Sequence, residues 1–242
     1  MSYIEVSGNI FNSKADAIVN TVNCVGVMGK GIALEFRMRY PKMFAEYKQV
    51  CRMKKLKPGQ IFSYFEGNFW ILNFAIKDDW RYPSKIEWIE NCLREFPKVY
   101  HNIGIKSVAF PWMGAMNGCI SIEKIKEVTR KYLSNLTDVD VEVYDFDPDE
   151  GDPLFEKLNN IIQMHPFDIK ELSKRSGIQP KYIEKIIETT KQKNIKSLPR
   201  LIETNVVGKT NIEKLYSFLT NSEIDHKNFC STIQSPKLSS WQ

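Results

Sequence analysis

The chain has 242 residues, of which 43% are hydrophobic and 26% charged, with a net charge of +5. Such a chain fits one large domain, or a medium one with a smaller companion, and its apolar share excludes a disordered polyelectrolyte. Cys24, Cys51, Cys92, Cys119 and Cys230 form no C-x-x-C pair, which argues against a disulfide framework and a zinc ribbon and fits a reducing, cytoplasmic setting. Neither a basic-then-apolar leader nor a run of about eighteen apolar residues is present, so secretion and membrane partners are not expected. His101, His165 and His226 stand far apart, and no metal or cofactor is expected.

Runs rich in β-branched and aromatic residues predict strands over Tyr3–Ser7, Ala17–Thr21, Ile61–Tyr64, Phe69–Ala75, Ser107–Phe110 and Val139–Tyr144. Between them, apolar residues at three- and four-residue spacing predict helices over Ile32–Val50, Ser84–Tyr100 and Ser121–Leu133. Strands separated by helices imply an α/β layered domain, residues 1–146, with a parallel or mixed sheet. The acidic, proline-containing stretch Asp145–Pro153 reads as a break, with an interdomain linker over 147–153. Beyond it, Leu154–Gln163, Asp168–Ser176, Pro180–Lys191 and Asn211–Leu219 read as helices of a small domain, residues 154–225, and Val206–Gly208 as a short strand or a turn. From His226 onward the chain is polar and expected to fray.

Charge separates these parts. Residues 1–154 hold 20 basic and 20 acidic side chains, and 155–242 hold 14 and 9, so the excess of five lies in the last third. That distribution fits an anionic partner such as nucleic acid, or simply a solvated helical surface.

Three loops carry candidate chemistry, each after a predicted strand, where open α/β sheets bind ligands. The first, from Asn20 through Asn23 to Ile32, passes Gly26, Gly29 and Gly31 before a helix. Glycines admit close backbone approach, and the helix start supplies free N–H groups, a pairing suited to a diphosphate. Asn20 and Asn23 offer neutral hydrogen-bonding groups to sugar hydroxyls or phosphates. The spacing matches neither a Walker A nor a G-x-G-x-x-G pattern.

The run from Gly8 to Ile32, GNIFNSKADAIVNTVNCVGVMGKGI, resembles the opening of a macrodomain, and its V-N-T-V-N-x-V-G-V-M-G-K-G-I-A form is closer still to the DarG branch of that family. The resemblance runs through Tyr40-Pro41, Pro58-Gly59, Asn73-Phe74, Lys77 and Trp80-Arg81 to about Tyr144. It implies a three-layer α/β/α macrodomain fold that binds ADP-ribose. On that footing Asn9, Ile10, Asn20, Gly26, Val27, Met28, Gly29, Lys30, Gly31 and Ile32 would hold one side of the ligand. Asn9 stands where most macrodomains carry an aspartate toward the adenine amino group, and its carbonyl still accepts. Tyr144 either stacks on adenine or packs in the sheet.

The resemblance makes Lys77, after the Phe69–Ala75 strand, catalytic at the distal ribose, with Asn23 orienting that sugar. An amine there either attacks the anomeric carbon or, kept cationic, stabilises the leaving group; the plain alternative is a surface lysine paired with Asp78 or Asp79. Trp80 and Arg81 would stack a base and grip a phosphate, or simply pack. The third loop, with Pro111, Met113, Gly114, Ala115, Met116, Asn117 and Gly118, would close over the distal ribose and second phosphate. Two departures stand out: Gly118 occupies the position of an acidic partner in the related terminal ADP-ribose glycohydrolase, and Met116 replaces a frequent glycine.

In the last third, Ile169–Ile186 resembles a helix-turn-helix, with Gly177 at the turn and Pro180 opening the second helix. A helix-turn-helix or winged-helix domain would offer Lys174, Arg175 and Lys181 to nucleic acid; a protein-partner surface or a structural appendage are the alternatives. The function expected is an ADP-ribosyl glycohydrolase acting on modified, single-stranded DNA and reversing a DarT-like transferase toxin, itself a candidate partner. A non-catalytic ADP-ribose reader and a hydrolase of modified protein are the competing readings.

Overall fold

A computed structural model describes residues 2–115, 117–147, 149–163 and 168–221. Strands β1 Tyr3–Gly8, β2 Ala17–Val22, β3 Ile61–Phe65, β4 Trp70–Ala75, β5 Ser107–Pro111 and β6 Asp140–Phe146 form one sheet in the order β1-β6-β5-β2-β4-β3. All neighbours are parallel except β3, which pairs antiparallel with β4 at one edge.

A parallel sheet covered on both faces needs strands that are apolar on both. Strand β2 meets this: Ala17 and Val19 enter the core under helices α3 Ile86–Ile103 and α4 Ile122–Leu133. Ile18 and Val22 enter the opposite core, under α1 Gly31–Arg39 and α2 Pro41–Arg52. The result is the expected three-layer α/β/α arrangement. The single helix expected over Ile32–Val50 is two helices, because Pro41 starts a new one and holds Tyr40 off helical geometry at φ −129°, ψ 69°. Proline lacks the N–H that would continue the first helix and crowds the residue before it.

After β6 come α5 Pro153–Gln163, α6 Ile169–Ser176, α7 Pro180–Thr190, α8 Leu198–Glu203 and α9 Lys209–Asn221. Helix α8 was not foreseen, since its 6 residues are too few to show a periodic stripe. Val206 and Val207 lie in a bend, and among the described residues no strand follows β6, so no wing is present there. These helices share a core built from Phe155, Leu158, Leu172, Ile186 and Tyr216, and Met38 of α1 belongs to it. Helix α1 thus faces two cores.

The stretch expected to be a linker is more than a tether. Strand β6 runs on to Phe146, and Asp152 is 0% exposed. One Asp152 oxygen accepts from the Arg39 guanidinium at 2.9 Å and the Leu154 N–H at 3.0 Å, the other from the Leu198 N–H at 3.0 Å. Arg39 also reaches Glu35 at 3.3 Å and lies over the Phe11 ring at 4.1 Å. Burial pushes the Glu35 carboxyl up to about 7, against the pull of Arg39 and with the push of Asp152. One buried cation therefore serves two carboxylates where α1 meets the later helices. The tail from residue 226, Met116 and His165 lie outside the described residues. No helix among the described residues is long and apolar enough to cross a membrane.

Candidate active site

Strands β1, β6, β5, β2 and β4 run parallel, so the segments at their carboxyl ends open at one edge of the sheet. Asn9 follows β1, Asn23 follows β2, Lys77 follows β4, and Pro111 and Tyr144 lie at the ends of β5 and β6.

The first loop is braced from within. Asn20 and Asn73 face each other in the β2–β4 register, and the Asn20 amide donates to the Asn73 side-chain oxygen at 2.8 Å. Asn73 in turn donates to the Phe62 carbonyl of β3 at 3.2 Å. With 0% exposure, Asn20 ties strands together instead of touching a sugar or phosphate, which corrects its expected role. Asn23 is also turned inward. Its side-chain oxygen accepts from the Val25 N–H at 3.1 Å and the Val27 N–H at 3.2 Å, its amide donates to the Val27 carbonyl at 2.5 Å, and the Tyr47 hydroxyl donates to its carbonyl at 2.6 Å. A loop that leaves a sheet has backbone groups without ladder partners, and an asparagine side chain supplies both a donor and an acceptor for them. Asn23 therefore shapes the loop that would hold the sugar, with one of its two amide hydrogens committed to that loop.

Under this loop, Met28 is 1% exposed and acts as an apolar plug, while Val25 and Val27 form its outer tip. Gly26 and Gly31 have φ of +79° and +55°, conformations that favour glycine. After Gly29 and Lys30, helix α1 begins; its first internal bond runs from the Leu34 N–H to the Lys30 carbonyl. The amides of Gly31, Ile32 and Ala33 precede that bond, and such amides suit an anion.

Lys77 donates to the Asn117 backbone carbonyl at 2.6 Å. The alternative of a lysine paired with a neighbouring aspartate is not what the structure has. Asp79 is held by Arg81 through two side-chain bonds of 3.0 and 2.6 Å, and the Asp78 carbonyl accepts from the Cys24 N–H at 2.9 Å. That ion pair also commits Arg81, expected to grip a phosphate, to its own loop. It holds the Asp79 carboxyl low, at about 2. Trp80 is 54% exposed and so available to a base, and Tyr82, which sequence reasoning passed over, is 64% exposed beside it.

The third loop closes on the first. Gly114 has φ +85°, and a Cβ placed on Gly118 would lie 2.4 Å from the Gly114 carbonyl oxygen. No side chain fits at Gly118, so the acidic partner of the related glycohydrolase is excluded by backbone packing. A Cβ on Gly31 would stand 2.7 Å from the Asn117 amide nitrogen, so the two glycine-bearing loops abut. Met113 is wholly buried beneath this loop, which places it in the core and corrects its expected contact with the ligand, and Ala115 and Pro111 are half-buried.

At the far end, Asn9 is 3% exposed and its side-chain oxygen accepts from the Phe11 N–H at 3.1 Å, capping a short 3-10 turn at Ile10–Asn12. The expected acceptor for adenine therefore already has an internal donor, and Ile10 is buried beside it. The Tyr144 ring is half-buried with its hydroxyl donating to Glu142 at 3.0 Å. On the later helices, Lys174, Arg175 and Lys181 are exposed; Arg175 lies over Phe218 at 5.8 Å and Lys181 over Tyr182 at 5.0 Å. They sit on the helical core and not among the loops at the sheet edge.

Two abutting glycine loops, the amides opening α1 and an amine that pairs with no carboxylate among the described residues share one edge of an α/β/α domain. The Macro domain family model matches residues 19–129. The chain is 38% identical to the solved macrodomain of Mycobacterium tuberculosis DarG, covering 59% of this chain and 96% of that one with a TM-score of 0.57. It belongs to the macrodomain family. The curated DNA ADP-ribosyl glycohydrolase of Mycobacterium tuberculosis is 39% identical over 142 residues, which span 57% of this chain and 40% of that relative. The chain therefore matches less than half of the relative's length. The Thermosipho africanus DarTG structure, described as in complex with ADP-ribose, is 28% identical with a TM-score of 0.56 over 63% of this chain and 43% of that one. Its curated counterpart is named a fusion of a DNA ADP-ribosyl transferase and a DNA ADP-ribosyl glycohydrolase.

Proposed function

We propose that the chain is a cytoplasmic ADP-ribosyl glycohydrolase that removes ADP-ribose from modified bases of single-stranded DNA. Residues 1–146 carry the chemistry, with 154–225 as a companion helical domain. The observation that carries this reading is the Lys77 amine, held by a neutral carbonyl where the two glycine loops meet. The diphosphate lies against the amides of Gly26–Ile32 and Gly114–Gly118, adenine lies toward Asn9 and Tyr144, and Lys77 acts at the anomeric carbon of the distal ribose. Water supplies the hydroxyl that replaces the base on that carbon, and its proton leaves with the base. The transferase half of the Thermosipho relative supports a DarT-like transferase as the source of the substrate and as a candidate partner. The test is release of ADP-ribose from ADP-ribosylated single-stranded DNA, beside ADP-ribosylated protein. Turnover on DNA is expected, and preference for protein would replace DNA as the substrate.

A second reading, a reader that binds without turnover, is favoured by the steric exclusion of an acid at Gly118. Calorimetric binding of ADP-ribose with no release from either substrate would establish it.

A further inference from the structure

Net charge conceals a local feature. Between Glu46 and Glu66 the sequence has no acidic residue and five basic ones, Lys48, Arg52, Lys54, Lys55 and Lys57. Four of these, Lys48, Arg52, Lys54 and Lys57, line an open groove of about 880 Å³. Its other wall is the tip of the first loop, Cys24–Gly26, together with Asp78. All four cations are exposed, and none forms an ion pair among the described residues. On α4, by contrast, Lys124 and Arg130 pair with Glu127 and Glu5. Several unpaired like charges around one concavity repel each other and raise a field that draws anions.

The groove is fixed to the catalytic edge. Lys54, at φ +55°, closes α2 with its N–H on the Cys51 carbonyl, and the Gly59 N–H binds the Ala75 carbonyl of β4, two residues before Lys77. A Cβ on Gly26 would lie 3.6 Å from the Lys48 backbone, so loop and helix pack directly. Asp78, the one carboxylate among the lining residues, follows Lys77 in sequence and holds Cys24. Two and four residues beyond it in the chain, Trp80 and Tyr82 present exposed rings. A basic groove with adjacent exposed aromatics is the combination that binds single strands, the cations tracking phosphates and the rings stacking bases.

We propose that this groove holds the sugar–phosphate backbone of the single-stranded DNA flanking the modified nucleotide, with Trp80 and Tyr82 stacking its bases. The proposal rests on the DNA-directed reading above and places strand recognition within the macrodomain, not in the helix-turn-helix.

The test compares wild type with R52Q/K54Q/K57Q, three exposed positions outside the ADP-ribose loops. Affinity for an unmodified single-stranded oligonucleotide is measured by anisotropy across a salt series, ADP-ribose affinity by calorimetry, and turnover on the ADP-ribosylated oligonucleotide. The variant is expected to bind the oligonucleotide at least ~10-fold more weakly, with a log–log salt slope shallower by about 2, from roughly 0.7 for each of three phosphates. KM on modified DNA should rise, while Tm and ADP-ribose affinity hold. An unchanged Kd and slope would overturn the proposal, as would loss of binding to polyglutamate but not to DNA, which would assign the groove to an acidic protein. Groove-dependent binding without any turnover would sink the glycohydrolase reading and leave the groove standing.

Discussion

The Lys77 ammonium donates to the Asn117 backbone carbonyl at 2.6 Å, across 40 positions of sequence. This one bond closes the edge of the sheet, because Asn117 also packs on Gly31 at the start of α1. An amine with that role can be read either as chemistry or as a tether, and the two separate experimentally.

Replacing Lys77 with Ala should reduce release of ADP-ribose from modified DNA by about 10²–10⁴-fold, the range of a positioned proton-transfer or nucleophilic group. Lys77→Arg keeps a donor for Asn117 and should stay equally inactive with an unchanged Tm. Full activity in the arginine variant would reduce Lys77 to a loop tether.

Introducing the missing acid directly should fail. Gly118→Asp drives a Cβ into the Gly114 backbone, and overpacking of this kind costs about 1–3 kcal/mol. A lowered Tm and weaker ADP-ribose binding by calorimetry are expected; a gain in turnover would contradict the backbone packing described for this turn.

Asn23→Ala removes the acceptor for two loop amides and a donor to Val27. Stranding such groups costs about 1–3 kcal/mol, and ADP-ribose affinity should fall with it. Amide exchange at Val25 and Val27 should accelerate. If binding falls while exchange stays slow, Asn23 contacts the ligand itself.

The Glu35 carboxyl is raised from 4.5 to about 7, chiefly by burial. Its protonated form is favoured in the folded chain, so its contribution to stability is fully present below about pH 4.5 and is lost as pH rises through about 7. Glu35→Gln should flatten the fall in stability between pH 5 and 8 by on the order of 1–3 kcal/mol, read by denaturant melts at both values. Parallel pH profiles for the two proteins would contradict this.

Much of this was legible in the sequence, for identifiable reasons. The strands announced themselves through β-branched runs such as Ala-Ile-Val at 17–19, and the stripe Ile125, Val128 and Leu133 marked α4. The glycines of both loops marked where the backbone turns back on itself. Side-chain direction was not legible. Asn20 and Asn23 look alike as polar residues near a glycine loop, yet one lies inside the sheet and the other inside the loop. Tyr47, which pins Asn23, carries no motif, and Asp79 claimed Arg81 by rotamer geometry that spacing does not encode. Summing charge over whole segments also hid the basic run at 48–57, because distant acids cancel it on paper but not in space.

Where the chain can be shortened follows from Arg39. A fragment ending near residue 150 keeps the whole sheet and its loops, yet it discards Asp152 and the Tyr216 side of the joint while retaining the guanidinium they surround. That cation would be left with Glu35 and the face of Phe11, two residues from Asn9 at the adenine end. Weak nucleotide binding by such a fragment would report a frayed α1 and not the intrinsic affinity of the loops. Minimal versions of this protein should therefore keep Asp152 together with the helices that bring Leu198 and Tyr216 to the joint, or carry an apolar residue of similar length in place of Arg39.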